Sequence, residues 1–259
     1  MLIPQRQSRL QQLLAKRGMS DLETLAAELR VSQSTVRRDI DALEQRGLVT
    51  RTYGGVVWVG ERRTNGAGGG RPYAFDQRMG YEADAKRSIA RAAKQLVSPG
   101  ETVLIDGGTT TFYLAQELLG LSMQLVTNSL PIANLFLNDE HVELILSGGL
   151  MYPRYGVLLG PTAETVLGTI HTRTLFLSVA GIHGGALYNQ NLLLVQAERK
   201  MMEQTQRVVL LADAGKFGQQ ALARLCDLSE IDIVVSDSKL SENDRAAVRA
   251  AGCELLIAE

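Results

Sequence analysis

Seven short apolar runs separated by amphipathic stretches constrain this chain more than any other feature of its sequence. They are TVLID (102–106), LVTN (125–128), VELILS (142–147), TLFLSVA (174–180), RVVLLAD (207–213), DIVVSD (232–237) and CELLIA (253–258). Each is too short for an ordinary helix. Most are continuous rather than alternating, as strands buried on both faces are. Between them lie TTFYLAQELL, SLPIANLFL, LLLVQAERKMMEQT and ENDRAAVRAAG, whose apolar residues recur at helical spacing. Strands alternating with helices predict an α/β fold, a Rossmann-like open domain whose mostly parallel sheet carries helices on both faces.

That alternation begins near residue 82 of a chain of 259. A single domain typically takes roughly 100–200 residues, so the segment before it predicts a second, smaller domain. ERRTNGAGGGRP (61–72) separates the two. Its glycines offer no side chains to bury and have high backbone entropy, the properties of a linker. The expected division is a small domain at 1–60, a glycine-rich linker at 61–81 and the α/β domain at 82–259.

Hydrophobic residues make up 45% of the chain and charged residues 21%, a globular composition that excludes a disordered or fibrous class. No apolar run approaches the roughly 20 residues that span a bilayer. The start, MLIPQRQSRLQQLL, is amphipathic rather than a charged segment followed by an apolar one. A cytoplasmic protein with no membrane association is expected. Cys226 and Cys253 form no CxxC pair and read as buried small hydrophobes in a reducing compartment. The net charge of −1 hides an asymmetry, because residues 1–60 hold nine Lys/Arg against six Asp/Glu. A basic surplus at one end permits nucleic-acid binding there.

The local pattern at that end is more specific than its charge. Leu22, Leu25, Ala26 and Leu29 give one short helix an apolar face, and Arg30-Val31-Ser32 makes a tight connection. Ser32 is a good N-cap for a second helix, its hydroxyl accepting from the amide of Ser34 or Thr35. Val36, Ile40 and Leu43 fall at i, i+4 and i+7 and face the core, which turns Ser34, Arg38 and Gln45 outward with Thr35 and Arg37 on the flanks. Arginine forks onto guanine O6 and N7 in the major groove, and hydroxyls meet phosphates or base edges. LVTRTYGGVVWV then reads as a β-hairpin whose Arg51 and Tyr53 lie beside the DNA backbone. The candidate DNA contacts are Ser32, Ser34, Thr35, Arg37, Arg38, Arg51 and Tyr53. The competing reading has Arg37 and Arg38 merely paired with Asp41 and Glu44 on a solvated face.

In the larger domain, TVLID runs into GGTTTFYLAQEL, where two glycines and three threonines open a helix. Backbone amides, hydroxyls and a positive helix end suit an anion. Thr and Gly are also ordinary helix-capping residues, so the loop alone decides little. LLADAGKFG (210–218) adds Lys216 at another strand end, and TNS (127–129) and SGG (147–149) are further small polar strand ends. Ligands of open α/β sheets bind at the carboxyl ends of strands. The candidate effector residues are Gly107, Gly108, Thr109, Thr110 and Thr111 for a phosphate, Lys216 as its counter-charge, Asn128, and Asp106 for hydroxyls or as a structural cap.

VSQSTVRRDIDALEQRGLVTRTYGG resembles the winged helix-turn-helix of the DeoR family of bacterial regulators. EADAKRSIARAA, LIDGGTTT, LVTNSL, LILSGG, LLADAGKFG and IDIVVSDS resemble its C-terminal domain. The resemblance implies a repressor of a carbohydrate-catabolism operon, partnered by double-stranded operator DNA and a phosphorylated sugar and acting as a homodimer or homotetramer. It also implies that Thr109, Thr110, Thr111 and Lys216 occupy the family's anion-binding positions. Gly107 departs from the family's usual Ser, and Ala214-Gly215 departs from its usual Asp-x-Ser-Lys.

That C-terminal domain is similar to sugar-phosphate isomerases, so the alternative function is an isomerase carrying a DNA-binding domain. Aldose–ketose chemistry needs a positioned base, and LSVAGIHGG (177–185) offers no acid where those enzymes carry theirs. Asp106 and Glu198 remain as candidate bases without an evident partner. His141, His171 and His183 are isolated from one another. Neither a metal nor a cofactor is expected, and the chain reads as a regulator rather than an enzyme.

Overall fold

The computed structural model describes residues 3–17, 19–45, 48–52, 55–58 and 75–259. The chain divides into two compact units, Met1–Tyr81 and Glu82–Glu259.

In the first unit the helices are α1 (Ile3–Arg17), α2 (Leu22–Leu29), α3 (Gln33–Gln45) and α4 (Phe75–Met79). Its strands are β1 (Met19–Ser20), β2 (Val49–Thr52) and β3 (Gly55–Trp58), in the antiparallel order β1-β3-β2. Asp21 caps α2 by accepting from the Thr24 amide at 2.7 Å. Arg30 ends that helix in the left-handed region at φ 54°, returning its amide to the carbonyls of Ala26 and Ala27. Leu10, Leu14, Leu25, Leu29, Val36, Ile40, Leu43 and Val56 form the core. Val36, Ile40 and Leu43 are fully buried, as their spacing predicts. Complete burial of such side chains contributes about 1.5–3 kcal/mol each.

The expected linker of 61–81 requires correction at its C-terminal end. Residues 59–74 lie outside the described residues, but 75–79 form α4 with Phe75 buried. Phe75 and Met79, one helical turn apart, give this segment an apolar anchor that GAGGG lacks.

The second unit begins with α5 (Ala83–Lys94), β4 (Thr102–Ile105), α6 (Thr109–Glu117), β5 (Met123–Thr127), α7 (Leu130–Leu135) and β6 (Val142–Leu146). It continues through β7 (Leu150–Tyr152), β8 (Val157–Leu159), α8 (Pro161–Leu167), β9 (Thr172–Leu177), β10 (Gly181–His183) and β11 (Ala186–Asn189). The last elements are α9 (Leu192–Glu203), β12 (Thr205–Leu211), β13 (Ala223–Asp227), β14 (Ile233–Asp237), α10 (Glu242–Ala250) and β15 (Glu254–Ala258). Seven strands form one sheet in the order β15-β14-β12-β9-β4-β5-β6, and every neighbouring pair is parallel.

Alternate residues of these strands feed two cores. Val103, Ile105, Leu125, Phe176, Val209 and Leu211 pack with Ile89 and Ala93 of α5 and Leu114 of α6. Leu104, Val126, Leu175, Leu177 and Leu210 pack on the other face with Val195 and Met201 of α9 and Val248 of α10. The second core also takes Leu187, Leu225 and Cys226 from a small antiparallel sheet, β10-β11-β13. Burial pushes the Cys226 thiol up to about 12, and Cys253 is likewise free and buried, so both cysteines act as packing groups. Among the described residues, no helix is long and apolar enough to cross a membrane.

The chain leaves β4 through β5 to β6 at one edge, then returns to β9 on the other side of β4 and proceeds to β15. The order therefore reverses between β4 and β9. In open parallel sheets such a switch point parts the loops at the strand ends and creates a crevice there. The segments leaving these two strands are Asp106–Gly108 and Ser178–Ala180.

Candidate functional site

Three hydroxyls gather at the start of α3. Ser32 Oγ lies 2.8 Å from Ser34 Oγ and 2.9 Å from Thr35 Oγ1, and it accepts the Thr35 amide at 3.3 Å. Ser32 and Ser34 are exposed, Thr35 is half-buried, and Arg37 and Arg38 project to solvent from the next turn. Arg51 lies on β2, paired in register with Val56 of β3. Tyr53 lies outside the described residues. A helix N-terminus with clustered hydroxyls and exposed arginines is chemically suited to phosphates and base edges.

Asp39 holds α3 in place, a role that charge counting misses. It is buried, and Arg6 of α1 donates to it twice, from Nε to Oδ2 at 2.5 Å and from Nη2 to Oδ1 at 3.0 Å. Gln7 Nε2 adds a contact at 3.3 Å. The signal was present in the sequence, because Asp39 stands at i+3 in the same stripe as Val36, Ile40 and Leu43. An acid on a buried stripe needs a cation, so Arg6 is engaged within the fold and does not belong to the basic surplus counted toward DNA.

In the second unit, the loop after β4 is folded on itself. The Gly108 amide donates to Thr111 Oγ1 at 2.8 Å and to the Asp106 carbonyl at 3.0 Å. Thr111 Oγ1 lies 2.6 Å from that carbonyl. Two expectations are thereby corrected: the Thr111 hydroxyl and the Gly108 amide serve the loop's own geometry and are not available to an anion. A threonine three residues into a tight turn closes a ring of hydrogen bonds that residue type alone does not reveal. The amides of Thr109, Thr110 and Thr111 are those that helix geometry leaves without intrahelical partners. Gly107, Thr109 and Thr110 are buried beside them.

The two glycines are fixed by close packing. A Cβ on Gly107 would stand 2.1 Å from Val157 Cγ1, and one on Gly108 would stand 1.7 Å from Ser178 Oγ and 2.9 Å from Ser178 Cβ. The serine usual at the first position has no room here. Gly108→Ala is expected to destabilise the second unit by about 1–3 kcal/mol in urea denaturation. Ser178→Gly in the same chain should recover most of that loss; an additive double mutant would disprove the clash.

Asn128 follows β5 and is 1% exposed, with no hydrogen-bond partner at either Oδ1 or Nδ2. Its Oδ1 lies 3.4 Å from where a Gly107 Cβ would stand. Its neighbours are accounted for: Thr127 Oγ1 donates to the Ile105 carbonyl at 2.7 Å, and Ser129 Oγ caps α7 by accepting from Ile132. Leaving a buried polar group unsatisfied costs about 1–3 kcal/mol, and native folds keep few of them. Asn128 is the kind of group that a polar ligand satisfies.

Asp106 is buried at 3% exposure and Glu198 of α9 at 2%. Burial raises the Glu198 carboxyl well above the usual carboxylate range and the neighbouring Asp106 adds to the rise, while a hydrogen bond from Asn189 opposes it. Asn189 Nδ2 reaches Glu198 Oε1 at 2.5 Å, and Glu198 Oε2 has no partner. The two acids considered separately in the sequence are thus neighbours.

Lys216 sits in a 3₁₀ turn, Ala214–Lys216, after β12. Buried Asp237, at the end of β14, fixes that turn by accepting the Ala214 amide at 2.7 Å. β12 stands two strands from β4, roughly 10 Å at the usual inter-strand spacing. His141, His171 and His183 are all exposed. No cluster of His, Cys, Asp or Glu suited to a metal occurs among the described residues.

Comparison with known proteins adds an independent line. Residues 6–62 match the DeoR-like helix-turn-helix domain, and residues 81–238 match the DeoR C terminal sensor domain. The HTH-type transcriptional regulator UlaR of Shigella dysenteriae serotype 1 is 31% identical over 97% of this chain and 98% of its own length. The L-fucose operon activator of Haemophilus influenzae is 33% identical over 90% of this chain and 91% of its own. Among solved structures, ribose 5-phosphate isomerase a from Methanocaldococcus jannaschii is 17% identical, with a TM-score of 0.39 over 52% of this chain and 54% of that one, too distant to bear on function.

Proposed function

The chain belongs to the DeoR family of transcriptional regulators of sugar catabolism, and on that premise we propose that it represses a carbohydrate-catabolism operon by binding its operator with an affinity that a phosphorylated sugar sets. The observation that carries the DNA half is the start of α3, where the hydroxyls of Ser32, Ser34 and half-buried Thr35 cluster and exposed Arg38 follows in the next turn. Arg37, Arg51 and Tyr53 complete the candidate contact set. A homodimer or homotetramer in the cytoplasm places recognition helices on half-sites about 34 Å apart, one turn of the duplex.

The effector half is supported by polar groups converging on the switch point. The ligand's phosphate lies against Gly107 and the free first-turn amides of Thr109–Thr111, with the positive end of α6 behind them. Lys216 approaches across β9. Asn128 and Asp106 face the carbon chain. Isomerase chemistry is disfavoured because LSVAGIHGG (177–185) carries no acid to serve as a general base, and because the relatives of this chain are transcriptional regulators.

A ligand shifts operator affinity only as far as it binds the two states of the protein unequally. Couplings of this kind amount to about 1–3 kcal/mol, or roughly 5–150-fold. The test is fluorescence anisotropy on a duplex that the protein itself selects from a random pool, titrated with pentose and hexose phosphates and with inorganic phosphate. At least one sugar phosphate should move the DNA affinity within that range. Lys216→Ala should abolish the shift while leaving DNA binding intact; an undiminished shift would remove Lys216 from the site. Transcript levels in a strain lacking the gene decide the sign, a rise supporting repression and a fall overturning it.

A further inference from the structure

The amides at the start of α6 account for one end of a ligand, and a second group of polar atoms beside them remains unexplained. Glu198 is anchored to the switch point by a short chain of contacts. Asn189 Nδ2 donates to its Oε1 at 2.5 Å, and Asn189 Oδ1 accepts the Ala180 amide at 2.9 Å. Ala180 lies two residues beyond Ser178, whose hydroxyl abuts Gly108. One carboxyl oxygen of Glu198 is thus held from the β9 side of the crevice, near Asp106. The other, Oε2, is buried and has no hydrogen-bond partner. Asn128, on the β5 side of the same loop, has two more unpartnered polar atoms.

We propose that Glu198 is a ligand-contacting residue of the effector site, its Oε2 meeting a hydroxyl or carbonyl oxygen on the carbon chain of a phosphorylated sugar. This rests on the effector reading above. A purely structural Glu198 would need only its bond to Asn189, which leaves the second oxygen buried without purpose. The unpartnered Oε2 stands with the unpartnered amide of Asn128 as a buried polar group beside the anion loop. A hydroxyl both donates and accepts, so it can satisfy either, whereas an alkyl chain cannot. These groups select for the polyhydroxylated part of the ligand, leaving the anion to the start of α6.

The experiment is calorimetry on the full chain, using a panel of pentose and hexose phosphates, inorganic phosphate and butyl phosphate, with Glu198→Met and Glu198→Gln as variants. Glu198→Met removes the hydrogen bond at similar volume. It should weaken the best sugar phosphate by about tenfold or more while changing inorganic phosphate less than about twofold. Glu198→Gln keeps a hydrogen-bonding group of the same shape and should retain the sugar phosphate within about threefold. Full sugar-phosphate affinity in Glu198→Met, or an equal loss in Glu198→Gln, overturns the assignment. Should Glu198→Met not fold, the wild-type chain still decides, because butyl phosphate binding as tightly as the sugar phosphate would exclude any hydroxyl contact. If no sugar phosphate binds the wild-type protein, the effector reading fails and takes this inference with it; a failure confined to the variants leaves that reading standing.

Discussion

Asp39→Ala is expected to destabilise the first unit by about 3 kcal/mol, near the lower end of what breaking a buried ion pair costs. The lower end applies because Arg6 keeps 14% of its side chain in water while Asp39 keeps 4%, so the stranded guanidinium recovers part of its hydration. Arg6→Ala strands the more deeply buried partner and should cost more. In a domain of this size each kcal/mol shifts the melting temperature by roughly 4–8 °C. Differential scanning calorimetry should therefore show the transition of residues 1–81 falling by about 12 °C or more, with that of residues 82–259 unmoved. A shift below about 4 °C would mean that the pair is replaceable by water. The effect bears on function because Asp39 lies on α3 itself, one residue from Arg38. A variant that keeps the sensor domain folded but lets α3 drift from α1 should bind effector and fail on DNA.

The seven apolar runs read from the sequence are the seven strands of the central sheet. The central strands β4, β9, β12 and β14 are legible because strands buried on both faces need continuous apolar residues. β7, β8, β10, β11 and β13 were not read. They are three to five residues long and antiparallel; residues of β10, β11 and β13 join the core on one face of the large sheet, whereas β8 packs in a small cluster of its own with α9. β13 takes its identity from a partner distant in sequence, pairing with β11 across 34 or more residues.

The candidate site divides along the same line. The DGGTTT loop announces itself because glycine, threonine and a helix start are adjacent in sequence. Which of its groups remain available to a ligand does not, since the Thr111 ring and the Ser178 contact depend on the folded path. Glu198 was named only as an isolated acid, because its meaning comes from Asp106, 92 positions earlier, and from Asn189 on another element. A glycine–threonine loop at a helix start is readable from sequence, whereas polar groups brought together from α9, β11 and the ends of β4 and β5 have no sequence window of their own.

Arg38→Ala should weaken operator binding by roughly 5–150-fold, the worth of one bidentate arginine–guanine contact at about 1–3 kcal/mol. Arg38 stands two residues beyond fully buried Val36, about 200° around the helix, and is exposed. Alanine is the best helix former, so the substitution leaves the fold within about 0.5 kcal/mol, and any loss on DNA reflects the contact. The role can be separated by salt. A base contact carries specificity without neutralising a phosphate, so the variant should lose affinity for the selected duplex, keep its affinity for a scrambled one, and retain the slope of log K against log salt. A phosphate contact would instead weaken both duplexes and reduce that slope by about one. Sugar-phosphate affinity should not change, because α3 belongs to the other unit. Unchanged operator affinity would remove Arg38 from the groove and leave the α3 rim as a solvated face.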